Sequence, residues 1–151
     1  SAAESYMCET GLLLNEIRYL KRHLRFWMRD QIVPTPLAQF CAISYRKPSP
    51  YGVTLIMSPW NYPLLMGVWK LAPALAAGNS VVFKPSSNCV LSCVKLFEIF
   101  EKIGMPKGSV NLILGPGGIT GNRIAESKDV DMVTLRRVLR NIRRSNRSIS
   151  I

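Results

Sequence analysis

The sequence predicts an α/β fold: a partial, doubly wound parallel sheet with flanking helices, preceded by a long helix and a strand pair. Three observations carry this reading. Segments of strand and helix character alternate strictly from Val53 to Leu114. The run Val53-Thr54-Leu55-Ile56-Met57 is a continuous, almost wholly apolar stretch of strand length, the pattern expected when both faces of a strand are covered in a parallel sheet. Gly78 and Gly104 stand just after the two helical stretches, where helix C-termini favour glycine.

Taken in order, the first element is a helix from Glu9 to Asp30, about six turns long. Its apolar residues Leu13, Ile17, Leu20, Leu24 and Trp27 recur at spacings of three and four, which puts them on one face. Arg18, Arg22, Arg25 and Arg29 line another side, read as a solvated face, and His23 beside them suggests neither ligand nor base. Pro34 and Pro36 end this helix. Gln39 to Val53 then reads as two strands around a turn at Lys47-Pro48-Ser49-Pro50. After the strand at Val53–Met57 come a helix over Pro63–Ala77, a strand at Val81–Phe83, a helix over Leu91–Ile103 and a strand at Val110–Leu114. Parallel strands joined by helices of this length close as right-handed crossovers, a Rossmann-like arrangement. Pro73 falls late in its helix, where it either kinks the axis or marks a break. A fourth unit starts with the glycine loop Gly115 to Gly121, continues as a short helix over Asn122–Ser127 and reaches a strand at Val130–Thr134. Beyond it, Leu135, Val138, Leu139 and Ile142 fit a helical stripe, while the many Ser and Asn residues fit disorder equally well. The sequence thus divides into residues 1–134 and a basic tail, 135–151.

With 151 residues, 48% of them hydrophobic and 19% charged, the chain is of single-domain size and can bury a real core. No apolar run approaches the roughly 18 residues a membrane helix needs, so no span is expected. The first residues carry acid rather than basic charge and lead into an amphipathic pattern. Ser1 therefore reads as a truncated or processed start, no secretory leader is legible, and the expected location is cytoplasmic. The four cysteines, Cys8, Cys41, Cys89 and Cys93, form no CxxC pair and no zinc ligand set, and are expected to be reduced and mostly buried. The net charge of +11 invites a nucleic-acid reading. Six of those charges sit after Thr134, however, at Arg136, Arg137, Arg140, Arg143, Arg144 and Arg147, and leave a mildly basic body. No aromatic residue interleaves with them, so nucleic-acid binding is the lesser alternative.

Ligands of open α/β sheets sit beyond the carboxyl ends of the strands. Three segments leave strands at that edge: Ser58-Pro59-Trp60-Asn61-Tyr62-Pro63, Lys84-Pro85-Ser86-Ser87 and the loop Gly115 to Gly121. They should be neighbours, offering an indole face, an amide, an ammonium and backbone donors to a flat, phosphate-bearing ligand. The glycines at 115, 117 and 121 miss the GxGxxG spacing by one and follow the third central strand. A plain turn and a phosphate cradle therefore both fit this loop.

The order of motifs adds to this reading. Ser-Pro-Trp-Asn-Tyr-Pro at 58–63, WKLAPALAAGNSVVFKPS at 69–86, and Gly104-Met105-Pro106-Lys107-Gly108 followed by Val110-Asn111 resemble the aldehyde dehydrogenase superfamily over roughly residues 5–134. Ile17-Arg18-Tyr19 and Thr35 to Phe40 look like the class-3, fatty-aldehyde type. LGPGGITG and Asp129-Val130-Asp131 look like the betaine-aldehyde type, a mixture that raises the hypothesis of a recombinant chain. The resemblance implies NAD(P)-dependent oxidation of an aldehyde to a carboxylic acid in a parent enzyme, of which this chain would be a truncated coenzyme-binding fragment. It implies that Asn61 donates to the aldehyde oxygen as a catalytic thiolate attacks. Met57 and Trp60, with Ser58 and Pro59, would border the nicotinamide and its ribose; Lys84, with Ser86 beside it, would bind the adenosine ribose; Gly115, Gly117 and Gly121 would flank the pyrophosphate. Ser87 stands where many relatives carry a carboxylate that favours NAD, so NADP becomes more acceptable. Segments near Gln39 to Pro50 would serve an oligomerisation arm. The departures matter equally: after Thr134 the family's Phe-Thr-Gly-Ser motif, general-base Glu and nucleophilic Cys do not follow, so turnover by this chain alone is not expected. The abrupt change there suggests a shifted reading frame or a gene fragment.

Overall fold

The computed structural model describes residues 2–135 and 149–150. The chain opens with α1 (Ala2–Ser5), a π-turn over Tyr6–Thr10 and α2 (Gly11–Trp27). Helical structure thus starts earlier than Glu9 and stops short of Asp30. Only Leu13 and Leu20 of the predicted stripe are buried, Leu13 packing with Leu65 and Val68; Ile17 and Trp27 stay exposed because the body covers just part of that face. Arg18, Arg22, Arg25 and Arg29 are exposed, as read.

The strand pair is present but displaced. β1 (Gln31–Val33) and β2 (Ser44–Arg46) pair antiparallel, with Gln31 opposite Arg46 and Val33 opposite Ser44. The connection is therefore the segment 34–43, with its short 3-10 turn at Leu37–Gln39, and not Lys47–Pro50. Pro34 and Pro36, read as the end of a helix, instead bound a three-residue strand too short to show periodicity.

The main sheet is built from β3 (Val53–Met57), β4 (Ser80–Lys84), β5 (Val110–Leu112) and β6 (Met132–Leu135), all parallel, in the order β5-β4-β3-β6. Ile149 and Ser150, inside the segment read as a tail, form a short β7 parallel to β6 at Val133 and Thr134. The six tail arginines lie outside the described residues. Helices α3 (Pro63–Ala76), α4 (Leu91–Lys102) and α5 (Asn122–Glu126) connect the strands. α3 runs through Pro73 to Ala76, close enough to its C-terminus that the missing donor costs little regular structure, and ends before Gly78 at φ +85°.

β3 is covered on both faces, as its composition predicts. Ile56 packs with Leu71, Ala74, Val81, Phe83 and Cys93 on the α3/α4 side. Its neighbour Leu55 points the other way, to Ala125, Val130 and Val133 beneath α5. The chain steps outward from β3 to β4 and β5, then returns to the opposite side of β3 as β6. That reversal makes the carboxyl end of β3 a switch point, the place where open α/β sheets leave a crevice. Among the described residues no helix is long and apolar enough to cross a membrane.

The cysteine expectation needs correction. Cys93 alone is buried; Cys89 is intermediate and Cys8 and Cys41 are exposed. Cys8 belongs to the N-terminal π-turn, which buries no residue, and Cys41 sits in the β1–β2 connection with φ +80°.

Candidate functional site

The switch point gathers all three segments that leave strands at the carboxyl edge. Ser58 N donates to the Lys84 carbonyl at 3.1 Å, extending the β3–β4 ladder by one bond. The Cys89 thiol reaches the Trp60 carbonyl at 3.4 Å, which ties the loop after β4 to the loop after β3. Ser87 Oγ donates to the Gly115 carbonyl at 2.9 Å and so joins the loop after β4 to the glycine loop. The glycine loop returns to β3 at Gly121: a Cβ there would stand 3.2 Å from Met57 Sδ and 3.6 Å from Lys84 Cδ. A glycine at 121 is thus what lets the turn close over the two strand ends.

Lys84 is the electrostatic feature of the edge. Its residue is buried, and Nζ donates to the Pro85 carbonyl at 3.1 Å. Burial lowers its pKa from the ordinary lysine value of 10.5. An ammonium has three donors, so one bond to Pro85 leaves further donor capacity.

The remaining residues of the edge sort by direction. Trp60 and Asn61 are exposed, and the Asn61 amide has no hydrogen-bond partner among the described residues. Ser58 is buried, its hydroxyl donates inward to the Pro63 carbonyl at 3.4 Å and its N–H is committed to Lys84, so its carbonyl is the polar group left for a ligand. Ser86 Oγ accepts from Asn88 N at 3.4 Å, in a turn. Gly117 opens a wide helical turn, Gly117–Gly121, that runs into α5, and nothing approaches its Cβ position within 4 Å. The glycine loop is therefore a helix entrance as much as a turn.

Cys93 lies beneath the loop that carries Trp60 and Asn61. Its thiol contacts the Pro63 carbonyl at 3.9 Å, and its pKa is pushed up to about 11 by burial, then by Cys89 and Glu9. It is a core thiol. Sequence reasoning missed two residues that shape this region. Asn79 fixes the opposite end of β3 by accepting from Tyr51 N and Gly52 N, and Glu9 reaches the first turn of α3. A separate concavity of about 340 Å³ between the end of α2, Pro48–Pro50 and the end of α3 has no titratable side chain in its lining, and so offers no acid–base chemistry.

Comparison with known proteins agrees with this architecture. A profile of the aldehyde dehydrogenase family matches residues 1–141. A betaine aldehyde dehydrogenase of Bacillus subtilis is 52% identical over 85 residues, which cover 56% of this chain and 17% of that protein. An alpha-ketoglutaric semialdehyde dehydrogenase of the same organism is 42% identical over 93 residues, 62% of this chain and 19% of that one. Among solved structures, the NAD+ complex of an aldehyde dehydrogenase from Bacillus cereus superimposes with a TM-score of 0.79 at 28% identity, over 88% of this chain and 26% of the other. The NAD+ complex of betaine aldehyde dehydrogenase from Staphylococcus aureus gives 0.71 at 35% identity, over 82% and 25%. The chain thus spans about a fifth of the curated relatives it matches and about a quarter of these structures.

Proposed function

The chain belongs to the aldehyde dehydrogenase family, and from that premise we propose that it is a coenzyme-binding part of an enzyme oxidising aldehydes to carboxylic acids with NAD or NADP. The observation that carries this reading is the convergence of Met57, Lys84 and Gly121 at the switch point of the sheet.

The residues present fit such a coenzyme. Lys84 retains donors for ribose hydroxyls, Gly121 lets the glycine loop close on Met57 and Lys84, Gly117 has nothing within 4 Å of its Cβ position, and Trp60 offers an exposed indole face. When bound, the coenzyme supplies the hydride acceptor. Met57, Ser58, Pro59 and Trp60 line its nicotinamide end, Lys84 with Ser86 and Ser87 its adenosine ribose, and Gly115, Gly117 and Gly121 its pyrophosphate. Asn61, with an uncommitted amide, donates to the aldehyde oxygen as negative charge develops there. Losing one such donor typically costs about 100- to 1,000-fold in rate. The thiolate and general base come from elsewhere in the parent enzyme. Cys93, its pKa near 11 and its thiol enclosed, stays protonated at neutral pH and does not serve as the nucleophile.

The β1–β2 ribbon exposes Ile32, Phe40, Ile43 and Tyr45, apolar surface suited to an assembly arm in a homo-oligomeric, cytoplasmic parent. Calorimetric titration with NAD+ and NADP+ tests the central reading. Weak saturable binding, with Kd about millimolar, is expected, weaker still in Lys84→Ala. No heat of binding at several millimolar coenzyme would contradict it.

A further inference from the structure

We propose that Glu9 is a positioning residue for the Trp60-Asn61 loop: its carboxylate, carried on a π-turn that Gly11 permits, holds the N-terminus of α3 and with it the backbone presenting Asn61. The inference rests on the reading of Asn61 as the donor to the aldehyde oxygen.

α3 begins without a cap of its own. Tyr62 makes no side-chain capping bond, Pro63 at the first position brings no N–H, and the first turn contains no acid. The next two amides, Leu64 N and Leu65 N, both donate to Glu9 Oε2 at 3.1 Å each, across 55 and 56 residues of sequence. A full negative charge on two free amides at the positive end of a helix is a charge-assisted contact, stronger than a neutral cap. Among the described residues it is also the one charged tether of the loop. Ser58 Oγ on the Pro63 carbonyl, Cys89 Sγ on the Trp60 carbonyl and Cys93 Sγ on the Pro63 carbonyl are all neutral. Glu9 lies close enough to Cys93 to contribute to its raised pKa, which places the carboxylate beside the same turn.

The helix that carries Glu9 departs from regular geometry at that point. Gly11 N donates to the Tyr6 carbonyl, closing the wide turn Tyr6–Thr10. A Cβ at position 11 would stand 2.9 Å from that carbonyl oxygen, so any other residue forces the turn to shift and Glu9 with it. Such π-turns occur frequently where a helix serves a site.

Amide hydrogen exchange on the full chain, read by NMR without coenzyme, tests this. Glu9→Ala should accelerate exchange at Leu64 and Leu65 about five- to tenfold, the usual consequence of losing a cap, and should move the side-chain amide signals of Asn61. Gly11→Ala should act on the same two amides, and the double variant should add little more. Glu9→Gln keeps an acceptor oxygen and should restore both signals most of the way. Leu20→Ala loosens the same helix pair without touching the carboxylate, and should not single out Asn61. An effect of Glu9→Ala no different from that of Leu20→Ala at Leu64, Leu65 and Asn61 would overturn the proposal. Should Glu9→Ala fail to fold, Gly11→Ala decides: unchanged Leu64 and Leu65 exchange overturns the proposal, and selective acceleration there upholds it. Because coenzyme is absent, failure of NAD to bind contradicts the functional reading and leaves this result standing.

Discussion

The two ends of β3 meet opposite demands. At the entering end, Asn79 Oδ1 accepts from Tyr51 N at 2.7 Å and Gly52 N at 3.1 Å while its Nδ2 donates to the Ala74 carbonyl at 3.0 Å. Asp131 Oδ2 closes the same end by accepting from Val53 N at 2.8 Å. At the leaving end, Lys84 is buried against one carbonyl, Asn61 has no partner among the described residues and Trp60 is exposed. One end spends its polar groups on the fold. The other keeps hydrogen-bonding capacity in reserve, and in an open α/β sheet that reserve lies where ligands bind.

The contrast predicts separable effects. The largest is Asn79→Ala, which strands the amides of Tyr51 and Gly52, while the Ala74 carbonyl keeps the backbone N–H of residue 79. Urea denaturation should show a loss of about 2–4 kcal/mol, with the coenzyme affinity of the folded protein unchanged. Next comes alkaline stability. The Cys93 pKa of about 11 exceeds the ordinary thiol value of 9.0, so above that value the unfolded chain loses this proton first. Stability is therefore untouched below pH 9 and falls by about 1–2 kcal/mol as pH rises through 11. Cys93→Ala should flatten that fall, whatever it costs in packing at neutral pH.

At the leaving end, Ser87→Glu should discriminate against NADP relative to NAD by about tenfold in titrations, by placing a repulsive charge beside the adenosine ribose. The smallest effect is Lys84→Met. Burial lowers the Lys84 pKa below 10.5, so the buried charge costs stability at neutral pH and the native state releases its proton first on alkalinisation. The variant should be at least as stable as the parent at pH 7, and should lack the stability that Lys84 regains as pH rises toward 10.5.

Legibility in the sequence follows the range of the forces involved. The alternation from β3 to β5 was legible because burial on both faces writes itself into a continuous apolar run, and because Gly78 and Gly104 punctuate the helices. The meeting of the three loops followed from that topology. β1 was not legible, since three residues carry no period. Asn79 and Glu9 were missed for a different reason: each acts on amides some 27 to 56 residues away, and a lone polar residue does not announce its distant partner. The uncovered side of α2 misled in the opposite sense, because an apolar stripe reports capacity for burial, and Ile17 and Trp27 remain exposed here.

The most direct test of the central claim is an NMR titration of the full chain with NAD+, comparing the two ends of the sheet in one experiment. The account predicts saturable shifts at Met57, Trp60, Lys84, Gly115 and Gly121, with Gly52, Asn79 and Asp131 unmoved. Shifts confined to the entering end, or none at either end at several millimolar coenzyme, would contradict it.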